Sequence, residues 1–223
     1  AERILNNLQE VGFNIDSFSI SRTEYCGEKS SETIDPKTLD RVDFRKYGGS
    51  LFYGWSWRIP RVIVEGEVPC VCLHPSPLPR YRGGSPIQNQ IIAGENESAV
   101  TLFKMSKGLD DGPIYYQEKF SLEGRLFDIL DRISNIGSDL SRKLLTDFIS
   151  GNAHTSPQDE SLATTCKRRS LEDSELTIGK ISMMTSRQIY DFIRALQPPY
   201  PQAFFRGVDG KKMLLGDNCS IGD

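Results

Sequence analysis

Apolar residues open the chain at Ile4, Leu5, Leu8 and Val11, the three- and four-residue steps of one helix face, and Gly12 follows as a stop. Phe13, Ile15, Phe18 and Ile20 then alternate, which predicts a strand. Residues 21–47 are polar and charged with little periodicity, and read as a variable loop or a few short elements. Two apolar runs follow, 50–57 and 68–74, joined by an amphipathic link over 61–67; both runs predict strands. A helix is predicted from Pro86 to Ala93, with Ser85 as N-cap and Gly94 as stop. Residues 99–105 and 114–120 predict two more strands around a turn-rich loop. Leu126, Ile129, Leu130, Ile133, Ile136, Leu140, Leu144, Leu145 and Phe148 mark the longest helix, over 125–149.

After a polar loop at 151–165 the pattern changes. Residues 164–169 predict a short strand. Thr185-Ser-Arg-Gln188 is a capping box opening a helix with Ile189, Phe192, Ile193 and Leu196. Pro198-Pro-Tyr-Pro201 ends it, and Gly207-Val-Asp-Gly210 between two short apolar runs predicts a hairpin. Alternating helices and strands over 1–160 predict an α/β domain with a mostly parallel sheet, and 161–223 a small α+β appendage.

Composition narrows the partners. The net charge of -3 argues against a polyanion, because nucleic-acid binders carry a basic face. No apolar run approaches the roughly 18 residues of a membrane span. Five cysteines, an odd number at low density, predict reduced thiols and a cytoplasmic setting. Cys70 and Cys72 alternate on a predicted strand and face one side, but no second Cys/His pair stands at ligand spacing, so no metal is expected.

Candidate chemistry concentrates after residues 68–74. His74 ends that strand, under Pro75-Ser-Pro-Leu-Pro79 and a loop that opens a helix. Open α/β sheets place chemistry at such strand ends. A histidine there serves either as a general base or as a pin for the proline loop. Asp110, expected at the same end of a neighbouring strand, either partners His74 or satisfies its own turn. Arg80 and Arg82 beside Gly83 and Gly84, at a helix start, favour an anion; the alternative is a solvated basic loop. Tyr53-Gly-Trp-Ser-Trp57 either lines a pocket for a flat ring or joins the core. Lys167-Arg-Arg169 reads as an exposed face or a diphosphate contact.

His74-Pro-Ser-Pro-Leu-Pro79 together with Gly108-Leu-Asp-Asp-Gly112 resembles the folate-dependent formyltransferase family, whose pattern is Asn-x-His-Pro-Ser-x-Leu-Pro-x-x-x-Gly with Leu-Asp-x-Gly further on. The resemblance runs from about Trp55 to Phe205. Within the family, Arg82-Gly-Gly-Ser-Pro86, Gly112-Pro-Ile-Tyr115, and Lys167-Arg-Arg169 followed by Glu172-Asp-Ser-Glu175 look most like the sugar N-formyltransferases. The resemblance implies a Rossmann-like domain, N10-formyltetrahydrofolate as co-substrate and a nucleotide-linked amino sugar as acceptor. It implies His74 as base or relay, Asp110 as the group that orients it and raises its basicity, and a pterin site near Gly54, Trp55, Trp57, Ile59, Gly108 and Leu109. It also suggests a homodimer, with 198–205 and the final hairpin as its apolar surface.

Two departures stand out. The family's catalytic Asn position is Cys72, and a thiol is a weak donor for an oxyanion. A formyl-Cys72 intermediate is the least favoured alternative, because nothing marks the thiol as activated. The family's first strand is expected before Ala1. The competing readings are a methionyl-tRNA formyltransferase, which resembles this pattern but carries a larger basic C-terminal domain, and a non-catalytic relative that has lost the Asn.

Overall fold

In the computed structural model, which describes residues 2–16, 18–19, 32–33, 35–55, 57–218 and 221, the opening amphipathic segment forms helix α1 (Glu2–Glu10). Gly12 ends it with φ of 92°, a conformation open to glycine. Among the described residues of the alternating run at 13–20, Phe18–Ser19 form a strand, β1, which pairs in parallel with β2 (Glu32–Thr33). Ile20, Cys26 and Cys219 lie outside the described residues. Part of the polar stretch folds into two 3-10 turns, Pro36–Arg41 and Phe44–Lys46. Asp35 and Asp43 cap them by accepting from the amides of Lys37 and Arg45.

Strand β3 (Ser50–Tyr53) is shorter than its apolar run, because Gly54 turns the chain out of the sheet with φ of 61°. Helix α2 (Arg61–Val64) and strand β4 (Cys70–His74) follow, then β5 (Arg82–Gly83) and α3 (Pro86–Ile92). Next come β6 (Glu97–Lys104), β7 (Ile114–Ser121) and α4 (Leu126–Ser150). The predicted strand at 164–169 contracts to β8 (Thr165–Cys166); α5 (Ile178–Ile181), α6 (Ser186–Ala195), β9 (Phe204–Arg206) and β10 (Lys212–Leu214) complete the chain.

The central sheet runs β3-β4-β6-β7. Strands β3 and β4 are parallel, with Tyr53 opposite Leu73, whereas β6 is antiparallel to both β4 and β7. Ribbons β1–β2 and β5–β8 are parallel and β9–β10 is antiparallel. The result is a mixed sheet in a layered, Rossmann-like α/β fold.

Strand periodicity decides what each sheet face touches. Val71, Leu73, Val100 and Leu102 share one apolar cluster with Ile4 and Leu8 of α1 and Leu126, Ile129, Ile133, Leu140 and Leu144 of α4. Helix α4 lies close on the sheet at Gly137, where a Cβ would stand 2.6 Å from the Leu73 side chain. Cys70 and Phe52 join a second cluster with Leu39, Ile59, Ile63 and Val64, against which Cys72, Trp55 and Met105 pack. Burying such a side chain is worth roughly 1.5–3 kcal/mol.

The residues after 161 enclose no separate apolar cluster among the described residues. Leu176, Phe192, Ile193, Ala195, Leu196 and Ala203 join Ile87 and Ile91 in the first one. The capping box of α6 forms both of its predicted bonds, between Thr185 and Gln188. Ala203, expected at an apolar dimer surface, is buried in the first cluster and Phe204 is buried as well, while Met213 and Leu214 of β10 stay exposed. Among the described residues no helix is long and apolar enough to cross a membrane.

Candidate active site

The loop after β4 is held from below by side chains. Thr101 Oγ1 donates to the Ser76 carbonyl at 2.7 Å, Gln117 Nε2 to Leu78 at 3.0 Å, and Gln90 Nε2 to Pro75 at 3.0 Å. Ser76, fully buried, donates from its hydroxyl to the Arg80 carbonyl at 2.8 Å. These four bonds fasten the proline loop over His74. Gln90 is a polar residue buried among Ile87 and Ile91 of α3, and a polar position inside an apolar stripe is the sequence signal of such a role.

His74 is buried, with Nε2 2.9 Å from the Tyr81 carbonyl. A carbonyl only accepts, so Nε2 carries the proton and Nδ1 is the basic nitrogen. Nδ1 faces Asp110 Oδ2 at 3.6 Å, an ion-pair distance just beyond a hydrogen bond. The Tyr81 carbonyl therefore fixes the ring and its tautomer, a task the sequence assigned to Asp110. Asp110 is left the electrostatic role, and its Oδ2 also accepts from the Gly83 amide at 2.8 Å.

The route by which Asp110 reaches His74 also differs from the expected one. Strand β6 is antiparallel to β4, so it ends at Lys104 opposite Val71, away from His74. The loop after it folds back along the sheet face that carries Cys72 and His74. Three non-glycine residues among those described have positive φ: Tyr81 at 60°, Ser85 at 51° and Asp110 at 50°. All three lie here. Such conformations cost roughly 1–3 kcal/mol each and gather at functional sites.

Cys72 shares the His74 face, half-buried against the second cluster. Burial pushes its thiol well above the ordinary range, and the charge of Asp110 pushes the same way. The thiol stays protonated, which removes the nucleophile that a formyl-cysteine needs.

The expected anion donors are occupied within the fold. Arg82 is 7% exposed, and its guanidinium binds Gln158 and Glu160. The Gly83 amide serves Asp110 and the Gly84 amide the Cys166 carbonyl at 3.1 Å. Arg80 pairs with Glu95, which also accepts from the Tyr81 hydroxyl at 2.7 Å. Ser85 precedes α3 in left-handed conformation without capping it, and its hydroxyl accepts from the Arg169 amide at 3.1 Å. The two glycines serve close approach: a Cβ on Gly83 would stand 2.4 Å from the Cys166 carbonyl oxygen, and one on Gly84 2.6 Å from the Arg168 Cα. With φ of 107° at Gly83, Gly83→Ala is expected to destabilise the fold by about 2–4 kcal/mol in denaturant titration. Gly48→Ala, which meets nothing within 4 Å, is the near-neutral comparison.

Of the residues expected around a flat ring, Trp57 and Leu109 are exposed, whereas the Ile59 side chain is core. Gly54 and Trp55 follow β3, and Gly108 lies in the Asp110 loop. Trp55 Nε1 is buried without an acceptor among the described residues, a donor available to a heterocycle's edge. Lys167 and Arg168 are exposed; Arg169 is half-buried, donates to Asn89 at 3.3 Å, and has its pKa lowered by desolvation. No group of three or more His, Cys, Asp or Glu among the described residues is placed to hold a metal ion.

Residues 53–144 match the formyl transferase family model, a span that contains His74, Asp110 and both loops. Residues 53–144 thus form a formyl transferase domain. The methionyl-tRNA formyltransferase of Wolbachia pipientis subsp. Culex pipiens is 32% identical over 207 residues, covering 88% of this chain and 65% of that protein. The chain thus spans less than two thirds of that relative's length, and 50% of the Wolbachia relative from Drosophila simulans. Among solved structures, methionyl-tRNA formyltransferase from Clostridium thermocellum is 25% identical with a TM-score of 0.71, over 96% of this chain and 91% of that one. A sugar N-formyltransferase from Shewanella sp. is 20% identical with a TM-score of 0.70, over 86% and 78%, a likeness of fold. The formyltransferase domain of this chain therefore carries the pair of loops in which the family's motifs lie.

Proposed function

We propose that this protein transfers a formyl group from N10-formyltetrahydrofolate to the amine of a nucleotide-linked amino sugar. The observation that carries the reading is the buried His74, with one nitrogen committed to the Tyr81 carbonyl and the other facing Asp110. Gly54, Trp55, Trp57, Gly108, Leu109 and the backbone at Ile59 would hold the folate, with Trp55 Nε1 as an unpaired donor. When bound, the folate supplies an activated formyl carbon. As the acceptor amine bonds to the formyl carbon, His74 Nδ1 would take the proton the amine gives up and return it to the donor's N10 as the bond from N10 to the formyl carbon breaks, with Asp110 stabilising the imidazolium in between. The proline loop roofs His74 against water.

The sugar acceptor rests on the form of three segments, 82–86, 112–115 and 167–175, and on the net charge of -3. With Arg82 and the Gly83 and Gly84 amides engaged in the fold, the exposed Lys167 and Arg168 are the candidate cations for a diphosphate, and Arg80 would have to leave Glu95 to join them. A methionyl-tRNA acceptor is the second reading, favoured by the 32% identity to the Wolbachia enzyme. The deciding experiment incubates the full-length gene product with N10-formyltetrahydrofolate and either dTDP-, UDP- and GDP-linked amino sugars or charged initiator tRNA. A single formyl group on one sugar supports the first reading, formyl-methionyl-tRNA the second. No product with donor bound supports a non-catalytic relative.

Cys72 offers a separate test. An amide donor in place of the thiol is expected to raise turnover by up to about a hundredfold in Cys72→Asn, the lower range for one oxyanion donor. Steady-state kinetics checks it, and an unchanged or lower rate would identify a site adapted to cysteine.

A further inference from the structure

Gln158 lies between α4 and β8, in a stretch whose sequence reads only as polar. Its side-chain amide is used to capacity. Nε2 donates to the carbonyls of Asp110 at 2.8 Å and Gly112 at 2.7 Å. Oε1 accepts from Arg82 Nε at 3.1 Å and Nη2 at 2.7 Å. Two donors and two acceptor sites make four bonds, and none is left for a ligand.

Each partner belongs to a loop of the site. Arg82 is anchored in the proline loop: its backbone amide donates to the Thr164 carbonyl at 2.9 Å, and its guanidinium also binds Glu160 at 2.9 and 2.6 Å. Asp110 has φ of 50°, a left-handed conformation uncommon for residues with a side chain and one that aspartate adopts more readily than most. Two donors from one amide, on the carbonyl of Asp110 itself and on that of Gly112 two residues on, hold this turn of the loop in place. The carboxylate then reaches His74 Nδ1 at 3.6 Å and the Gly83 amide at 2.8 Å.

We propose that Gln158 is a positioning residue, which ties the carbonyls of Asp110 and Gly112 to the buried Arg82 and so fixes the Asp110 carboxylate at His74. Its effect on rate rests on the proposed formyl transfer, whereas its effect on geometry does not. The segment 158–166 is thus a strap: Gln158 crosses to the Asp110 loop, and Tyr81, Arg82 and Gly84 bond along Thr164 and Cys166.

The test is Gln158→Met, which keeps length and removes all four bonds, in the full-length gene product. At fixed pH the ring-nitrogen NMR spectrum of His74, assigned by its loss in His74→Asn, is expected to change, because the facing carboxylate has moved. The kcat is expected to fall about tenfold with folate KM within about threefold, a loss of about 1.4 kcal/mol at the chemical step. In an Asp110→Asn background the same substitution is expected to change kcat by less than about twofold, since it acts through Asp110. An unmoved His74 spectrum, or an undiminished loss in the Asp110→Asn background, overturns the proposal. If Gln158→Met does not fold, Gln158→Glu, which sets an acceptor against two carbonyls, takes its place with the same readouts. Failure of the formyl-transfer reading shows separately, as absent turnover in the unaltered protein, and the His74 spectrum still decides the geometry.

Discussion

Replacing His74 by Asn lowers formyl transfer by about a hundred- to ten-thousandfold, the contribution of a positioned general base. The substitution also deprives the Tyr81 carbonyl of its ring donor, which costs about 1–3 kcal/mol of stability. The rate must therefore be read well below the melting temperature. Asp110→Asn is expected to cost less, roughly a hundredfold. Where a carboxylate fixes its histidine's tautomer, losing it costs about ten-thousandfold. Here the Tyr81 carbonyl fixes the tautomer from the other nitrogen, 2.9 Å away. Asn at 110 would remove the charge that stabilises the imidazolium, while the ring keeps its place. Single-turnover rates of the two variants check the order. Equal losses would mean that the Tyr81 contact does not hold the ring in solution, and full activity in His74→Asn would remove His74 from the mechanism.

The loops that carry His74 and Asp110 are more legible in the sequence than the contacts their side chains make. His74 and Asp110 sit in motifs dense in proline and glycine, and such residues leave the chain few conformations. The helices were legible because their apolar stripes repeat over many residues: α4 was read within a residue of its bounds. Strand ends were less so, since a strand stops where one residue such as Gly54 takes φ of 61°, and apolar residues continue past it. The direction of β6 was not legible at all, because alternation is the same read either way, and with it went the path of the Asp110 loop. Arg82, Gly83 and Gly84 look like an anion cradle in sequence for a good reason. They are a guanidinium and two amides, and the fold presents its own acceptors to them: Glu160, Asp110 and the Cys166 carbonyl. Gln158 was invisible for the complementary reason. A lone glutamine in a polar loop carries no pattern, and its four bonds exist only once two distant loops are folded against it.

Asp191→Ala is expected to destabilise the protein by about 3–5 kcal/mol, the usual result of removing one partner from a buried ion pair. Asp191 and Arg194 on α6 are each 2% exposed, with Arg194 Nε donating to Asp191 Oδ1 at 2.6 Å. Arg194 Nη1 also donates to the carbonyls of Leu122 at 2.6 Å and Gly124 at 3.0 Å, in the turn between β7 and α4. Alanine at 191 leaves the guanidinium buried, with carbonyl dipoles but no counter-charge. At about 2–4 °C per kcal/mol for a chain of this size, the melting temperature falls by roughly 10 °C. Arg187 supplies the internal comparison. It binds Asp191 Oδ2 at 2.8 Å from a half-exposed position, so Arg187→Ala is expected to cost about 0.2–1 kcal/mol. A melting temperature within 2 °C of the parent in Asp191→Ala would show that water reaches Arg194. The pair links the later part of the chain to the sheet's last turn, and α6 buries Phe192 and Ile193 in the cluster that contains Ile87 and Ile91 of α3. Helix α3 begins where the proline loop ends, so loosening α6 frees one wall behind that loop. Asp191→Ala is therefore expected to lower activity at temperatures where the protein is still folded, and Arg187→Ala to leave it unchanged.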